Sequence, residues 1–142
     1  MNTHCTLDCY SEAMHNEQLH KPYGYELVLD LHECNPDTFT RSNIDTYFTE
    51  LCKVLEMQKC VVHFWDDLDL PLEEHETLPH LKGTSAVCFI STSSIVIHTL
   101  DILKAAYINI FSCKSLDEKV AQEFSERWFN GSAKNASFLG RG

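Results

Sequence analysis

From residue 24 onward the chain switches between two hydrophobic periods. Tyr25-Glu26-Leu27-Val28-Leu29-Asp30-Leu31 places apolar side chains at every second position, the pattern of a strand with one face buried. Asn35-Pro36-Asp37 interrupts it, and Ser42 or Asn43 is placed to cap a helix. Ile44, Tyr47, Phe48, Leu51, Val54 and Leu55 then recur at steps of three and four, one apolar stripe that faces a sheet. Residues 60–65 predict a second strand, 83–91 a buried third and 94–99 a fourth. Residues 100–106 read as a short helix and 107–113 as a strand. A helix follows over 117–129, with Ser115 as its cap. Asn130-Gly131 ends that helix, and 136–139 forms a last strand. The order β-α-β-β-β-α-β-α-β predicts an α+β fold: a two-layer α/β sandwich, its mainly antiparallel sheet carrying helices on one face.

Two stretches lack a period. Residues 1–22 form a polar extension ahead of a single domain over 23–142. Residues 66–80 are acidic and contain proline; a loop of that length inside a compact domain is a candidate rim or lid. The 142 residues suffice for one core. A formal charge of -10 repels phosphate backbones and anionic lipid, so neither nucleic acid nor membrane is an expected partner, whereas a cationic small molecule is suited. No run reaches the ~18–20 apolar residues of a membrane helix. Residues 1–22 carry no basic and then apolar run, so no secretory signal is expected. The seven cysteines are then read as reduced thiols of a cytoplasmic protein. His4, Cys5, Cys9, His15 and His20 lack the paired spacing of a zinc site, and no metal is expected.

Four polar residues stand in or beside the most apolar strands: Ser85, Ser93, His98 and Cys113. Each alone has an ordinary structural reading, as a turn hydroxyl, a core histidine or a small buried thiol. Their spacing gives them another. Gly83-Thr84-Ser85-Ala86, then Thr92-Ser93-Ser94-Ile95-Val96-Ile97-His98-Thr99, then Ile110-Phe111-Ser112-Cys113 resemble the S-adenosylmethionine decarboxylases of bacteria and archaea. In that family the pattern is roughly G-V-S-G, E-S-H-I-S-I-H-T and F-T-C, at the same intervals. The segment from Gly24 to Met57, including Glu33-Cys34, resembles the family's opening strand and helix.

The resemblance implies a self-processing enzyme whose cofactor is a covalent pyruvoyl group made from Ser93. The Ser93 hydroxyl would attack the Thr92 carbonyl, giving an ester. β-Elimination would then split the chain between Thr92 and Ser93. His98 is implied as the base of the elimination, Ser85 as an aid to processing and Cys113 as the proton donor in catalysis. The implied reaction is decarboxylation of S-adenosylmethionine, bound through its amine as a Schiff base, for polyamine (spermidine) synthesis. Sites shared across a homodimer are implied as well, with Ser93, Cys113 and Glu33 from one chain and Ser85 and His98 from its partner. Glu33, His32, His80 and Asp101 stand near substrate-binding places. Departures from the pattern are specific. Thr92 replaces the glutamate before the reactive serine, and Ile102 stands where the family's ribose-binding glutamate falls. Decarboxylation of ornithine or arginine, or an unprocessed ligand-binding or regulatory role, therefore remain open as alternatives.

Overall fold

The computed structural model describes residues 21–142, so the polar extension and its histidines and cysteines lie outside the described residues. Six strands and two helices follow: β1 (Gly24–His32), α1 (Arg41–Val54), β2 (Val62–Trp65), β3 (Ser85–Ile90), β4 (Ser93–Leu100), β5 (Ala105–Ser112), α2 (Glu118–Phe129) and β6 (Ser132–Arg141). The strands form one antiparallel sheet in the order β2-β3-β4-β5-β1-β6. The expected α+β sandwich is the architecture found.

Strand periodicity decides which face is covered. Leu27, Leu29 and Leu31 of β1, Ile95 and Ile97 of β4, and Ile108 and Ile110 of β5 are fully buried. They share one core with Ile44, Tyr47, Phe48 and Leu51 of α1 and with Ala121 and Phe129 of α2. The helices are tied together inside it, where the Tyr47 hydroxyl meets the Ser125 hydroxyl at 2.7 Å. α1 begins two residues earlier than its apolar stripe implied. Thr40 holds an extended backbone and its Oγ1 accepts the Asn43 N–H at 3.1 Å, so it caps the helix in place of Ser42 or Asn43. Asp117, accepting the Val120 N–H, likewise replaces Ser115 as the cap of α2, and Asn130 ends that helix in the left-handed conformation.

The short helix expected over 100–106 is absent. β4 runs through Leu100, which pairs with Ala105, and the chain reverses over 101–104 with Lys104 at φ 53°. Ile102 and Leu103, which gave the segment its apolar character, are about half exposed at that turn. So short an apolar run cannot distinguish a hairpin from a helical turn.

The acidic stretch after β2 is not free. Asp66, whose side chain is only 1% exposed, is gripped through two guanidinium nitrogens by Arg41 at the start of α1, and it accepts the Thr84 hydroxyl. Asp67 pairs with Lys82 at 3.0 Å and accepts the Glu76 N–H. At the far end of the loop, Gly83 presses against β4. A Cβ there would lie 1.6 Å from the Thr99 carbonyl oxygen, so only glycine lets Thr84 and Thr99 exchange their hydrogen bonds.

Two consequences are measurable. Gly83→Ala forces backbone apart and is expected to cost about 1–3 kcal/mol in chemical denaturation, whereas Gly142→Ala, with nothing within 4 Å, is expected to be neutral. The Arg41 hydrogen bonds hold the Asp66 carboxyl below its ordinary range. With the unfolded value near ~3.9, the pair contributes fully above about pH 4 and fades as pH falls through the lower folded value. Asp66→Asn is expected to lose about 1–3 kcal/mol at pH 7, and the gap from wild type is expected to shrink steadily below pH 4.

Candidate active site

At one end of the sheet, β3 and β4 join through a two-residue turn. Ile90 pairs with Ser93, leaving Ser91 and Thr92 to reverse the chain. Ser91 stands at φ 52°, a left-handed conformation that costs a non-glycine residue roughly 1–2 kcal/mol. The Cys60 thiol accepts its N–H at 3.4 Å. Ser93 follows immediately and is buried, 6% exposed, and its Oγ accepts the Cys113 N–H at 3.0 Å. That bond exists because β5 pairs with β4 and ends at Ser112, bringing the next residue alongside the turn. Ser112 is fully buried and locks this corner, its hydroxyl donating to the Lys114 carbonyl at 2.7 Å. The Ser93 hydroxyl, and then that of Thr92, draw the Cys113 thiol below its ordinary pKa, with a smaller contribution from Lys114.

A second group gathers at the opposite end, on the sheet face that no helix of the described residues covers. Cross-strand register sets Asp30, Tyr107, His98, Ser85 and Trp65 in one row over five strands. Within the row the Ser85 hydroxyl and His98 Nδ1 are 2.7 Å apart. A cavity of about 660 Å³ opens beside them, walled by Trp65, Leu81, Leu100 and Tyr107 and rimmed by Asp66, Asp67, Glu74, Glu76 and His80. The acidic loop thus forms a wall of this cavity. His32 stands edge-on to the Tyr107 ring, 6.3 Å between centroids. Glu33 is exposed at φ 57° just past the end of β1. Asp101 lies in the turn after β4, with Oδ1 buried and unpartnered and its carboxyl pushed up by burial.

The fold therefore unites Ser93 with Cys113, and Ser85 with His98 and His80, but keeps the two groups apart within one chain. Ser93 and His98 are five residues apart on β4 and point to opposite faces, about 16 Å along the strand. Glu33, His32 and Asp101 fall with the His98 group. Glu33 was expected beside Ser93, but β1 runs antiparallel to β5, so the end of β1 meets Ala106 and not Cys113. The sequence reading passed over three residues of the open face: Trp65, Tyr107 and Glu26. Glu26 lies in the row of Phe111 and Ser94 and is held by Asn109 at 3.1 Å and by Arg141. Glu26 alternates outward with Val28 and Asp30, so the strand pattern gave no signal that singles it out. Among the described residues no group of three His, Cys, Asp or Glu is placed to hold a metal ion.

No curated protein matches the chain. Among solved structures, the fold is similar to the crystal structure of the adenosylmethionine decarboxylase from Aquifex aeolicus VF5. The TM-score is 0.65 at 20% sequence identity, over 86% of this chain and 92% of that one. A sequence model described as S-adenosylmethionine decarboxylase matches residues 25–142, which takes in both groups of polar residues. The chain belongs to the S-adenosylmethionine decarboxylase family.

Proposed function

We propose that this chain is a self-processing, pyruvoyl-dependent decarboxylase that works as a homodimer, acting on S-adenosylmethionine in polyamine (spermidine) synthesis. The observation that carries the reading is the Ser93 Oγ, fixed by the Cys113 N–H beside a strained residue. A hydroxyl so fixed is placed to attack the neighbouring Thr92 carbonyl, and release of the Ser91 strain favours the rearranged ester. The residues present suit formation of the prosthetic group at position 93, although Thr92 offers no carboxylate to the process.

Dimerisation follows from the separation of the two groups. The open face carries Val28, Val87 and Val96, with Trp65 82% exposed at its edge, and His98 and Ser85 line an apolar groove across it. Pairing two such faces about a two-fold axis that runs across the strands turns one sheet end for end against the other. The β3–β4 turn of one protomer then faces the His98 end of its partner. Ser85 engages Nδ1 of His98, which leaves Nε2 to take the Cα proton of residue 93 in the elimination that splits the chain. Once formed, the pyruvoyl group supplies a ketone that withdraws the electrons freed as carbon dioxide leaves. Cys113 is the group positioned to return a proton there.

The cavity favours a cationic substrate. Arg41 and Lys82 pair with Asp66 and Asp67, while Glu74 and Glu76, which have no ion-pair partner among the described residues, stand at the rim beside the Trp65 and Tyr107 rings. A sulfonium satisfies that demand. So does a basic side chain, and a second reading rests on Ile102: it stands where a ribose-binding carboxylate is expected, half exposed in a turn and outside the cavity wall. An amino acid without a sugar, such as ornithine or arginine, needs no carboxylate there.

Purified wild type is expected to run on denaturing mass spectrometry as two fragments, one ending at Thr92, whereas Ser93→Ala stays whole. A wild type as undivided as the variant would sink the enzymatic reading and leave a regulatory or ligand-binding one. Carbon dioxide release measured in parallel from S-adenosylmethionine, ornithine and arginine is expected to be fastest with the first. A preference for either amino acid transfers the assignment to the second reading. In sedimentation the chain is expected to be a dimer, and Val96→Asp on the open face is expected to give a monomer in which splitting fails.

A further inference from the structure

Processing at Thr92-Ser93 has an unfilled role: some group must take the serine proton as the hydroxyl attacks. The carboxylate that could neighbour it is Thr92 in this chain. His98 lies about 16 Å along β4 on the other face. Glu26 is on the open face as well, engaged by Asn109 and Arg141. The Lys114 ammonium donates to the Glu56 carbonyl, and the Cys60 thiol receives the Ser91 N–H one turn residue further away. Cys113 alone of these has its backbone bonded to the reacting oxygen, which keeps its side chain next to the turn, and the Ser93 and Thr92 hydroxyls lower its thiol pKa.

We propose that the Cys113 thiolate is the general base of the first processing step, taking the Ser93 hydroxyl proton as Oγ attacks the Thr92 carbonyl. The inference rests on the self-processing reading above and assigns a residue within it. The step balances without any co-reactant. The Oγ–H proton passes to sulfur and the Oγ–C bond forms. The tetrahedral carbon then expels the nitrogen of residue 93, which recovers the proton from the thiol, leaving an ester and a free amine. One sulfur can serve two steps: the intact Ser93 hydroxyl is the largest of the influences that lower the thiol pKa, and conversion of Ser93 removes it, which favours the protonated form able to donate.

Hydroxylamine cleaves esters and leaves amides intact, so it reads the first step separately from the elimination. Full-length wild type, Cys113→Ala, Cys113→Asp and His98→Ala are followed by intact mass after synthesis, with and without hydroxylamine, and by thermal melting. The expected result is ~100-fold or slower splitting in Cys113→Ala. The Cys113→Ala chain is also expected to resist hydroxylamine, and Cys113→Asp to recover part of the rate. His98→Ala is expected to hold a chain that hydroxylamine cuts. Cys113→Ala splitting at the wild-type rate, or carrying a hydroxylamine-sensitive ester, overturns the assignment. So does a folded Cys113→Asp that behaves as the alanine variant does, because the thiol would then be structural. A wild type that never splits removes the self-processing reading itself, a result distinct from all of these.

Discussion

The Cys113 N–H reaches across from the end of β5 to the Ser93 Oγ at the start of β4, and the functional geometry depends on that contact. It is a strand-pairing consequence. β4 and β5 are the central strands of the sheet, and their register is fixed by Ile95, Ile97, Ile108 and Ile110, all fully buried. A slip of one residue would turn those isoleucines to the open face and carry Cys113 away from the serine. Core packing under the helices therefore sets a hydrogen bond at the margin of the sheet. The strained turn before it is held in the same way, since β3 and β4 cannot pair unless Ser91 and Thr92 close the hairpin.

The second group of polar residues depends on the same alternation read from the other side. Positions whose neighbours build the core present Ser85, His98 and Tyr107 to the uncovered face. The acidic loop turns that row into a cavity because Arg41 and Lys82 pin it at both ends. Loop charge, which in the sequence is one acidic stretch, is thus divided. One pair of carboxylates fastens the loop, and another faces the space beside the histidine.

The strands and both helices were legible because their periods are long and undisturbed: Leu27, Leu29 and Leu31 on β1, Ile44 to Leu51 on α1. The 101–104 turn was not, because the seven residues 100–106, of mixed apolar character, fit a helical turn as well as a hairpin. Caps were misplaced by two or three positions, since Thr40 and Asp117 declare themselves through backbone conformation and not through residue type alone. The motif residues were found through spacing, but their division into two distant groups was not visible. That division comes from strand direction, and from the opposite pointing of Ser93 and His98 on one strand. Nor could the Arg41–Asp66 tether be read, because the partners lie 25 residues apart and nothing local marks them.

Ser93 and His98 share a strand but lie about 16 Å apart along it on opposite faces, so the proposed reaction needs a second copy to bring the two together. The most direct measurement is the mass of the carboxy-terminal fragment from denatured wild type. The account predicts a fragment starting at position 93 and lighter by one ammonia than a chain with serine at its amino terminus. A fragment with an ordinary Ser93 terminus, as hydrolysis by a protease would leave, or an unbroken chain, would contradict it.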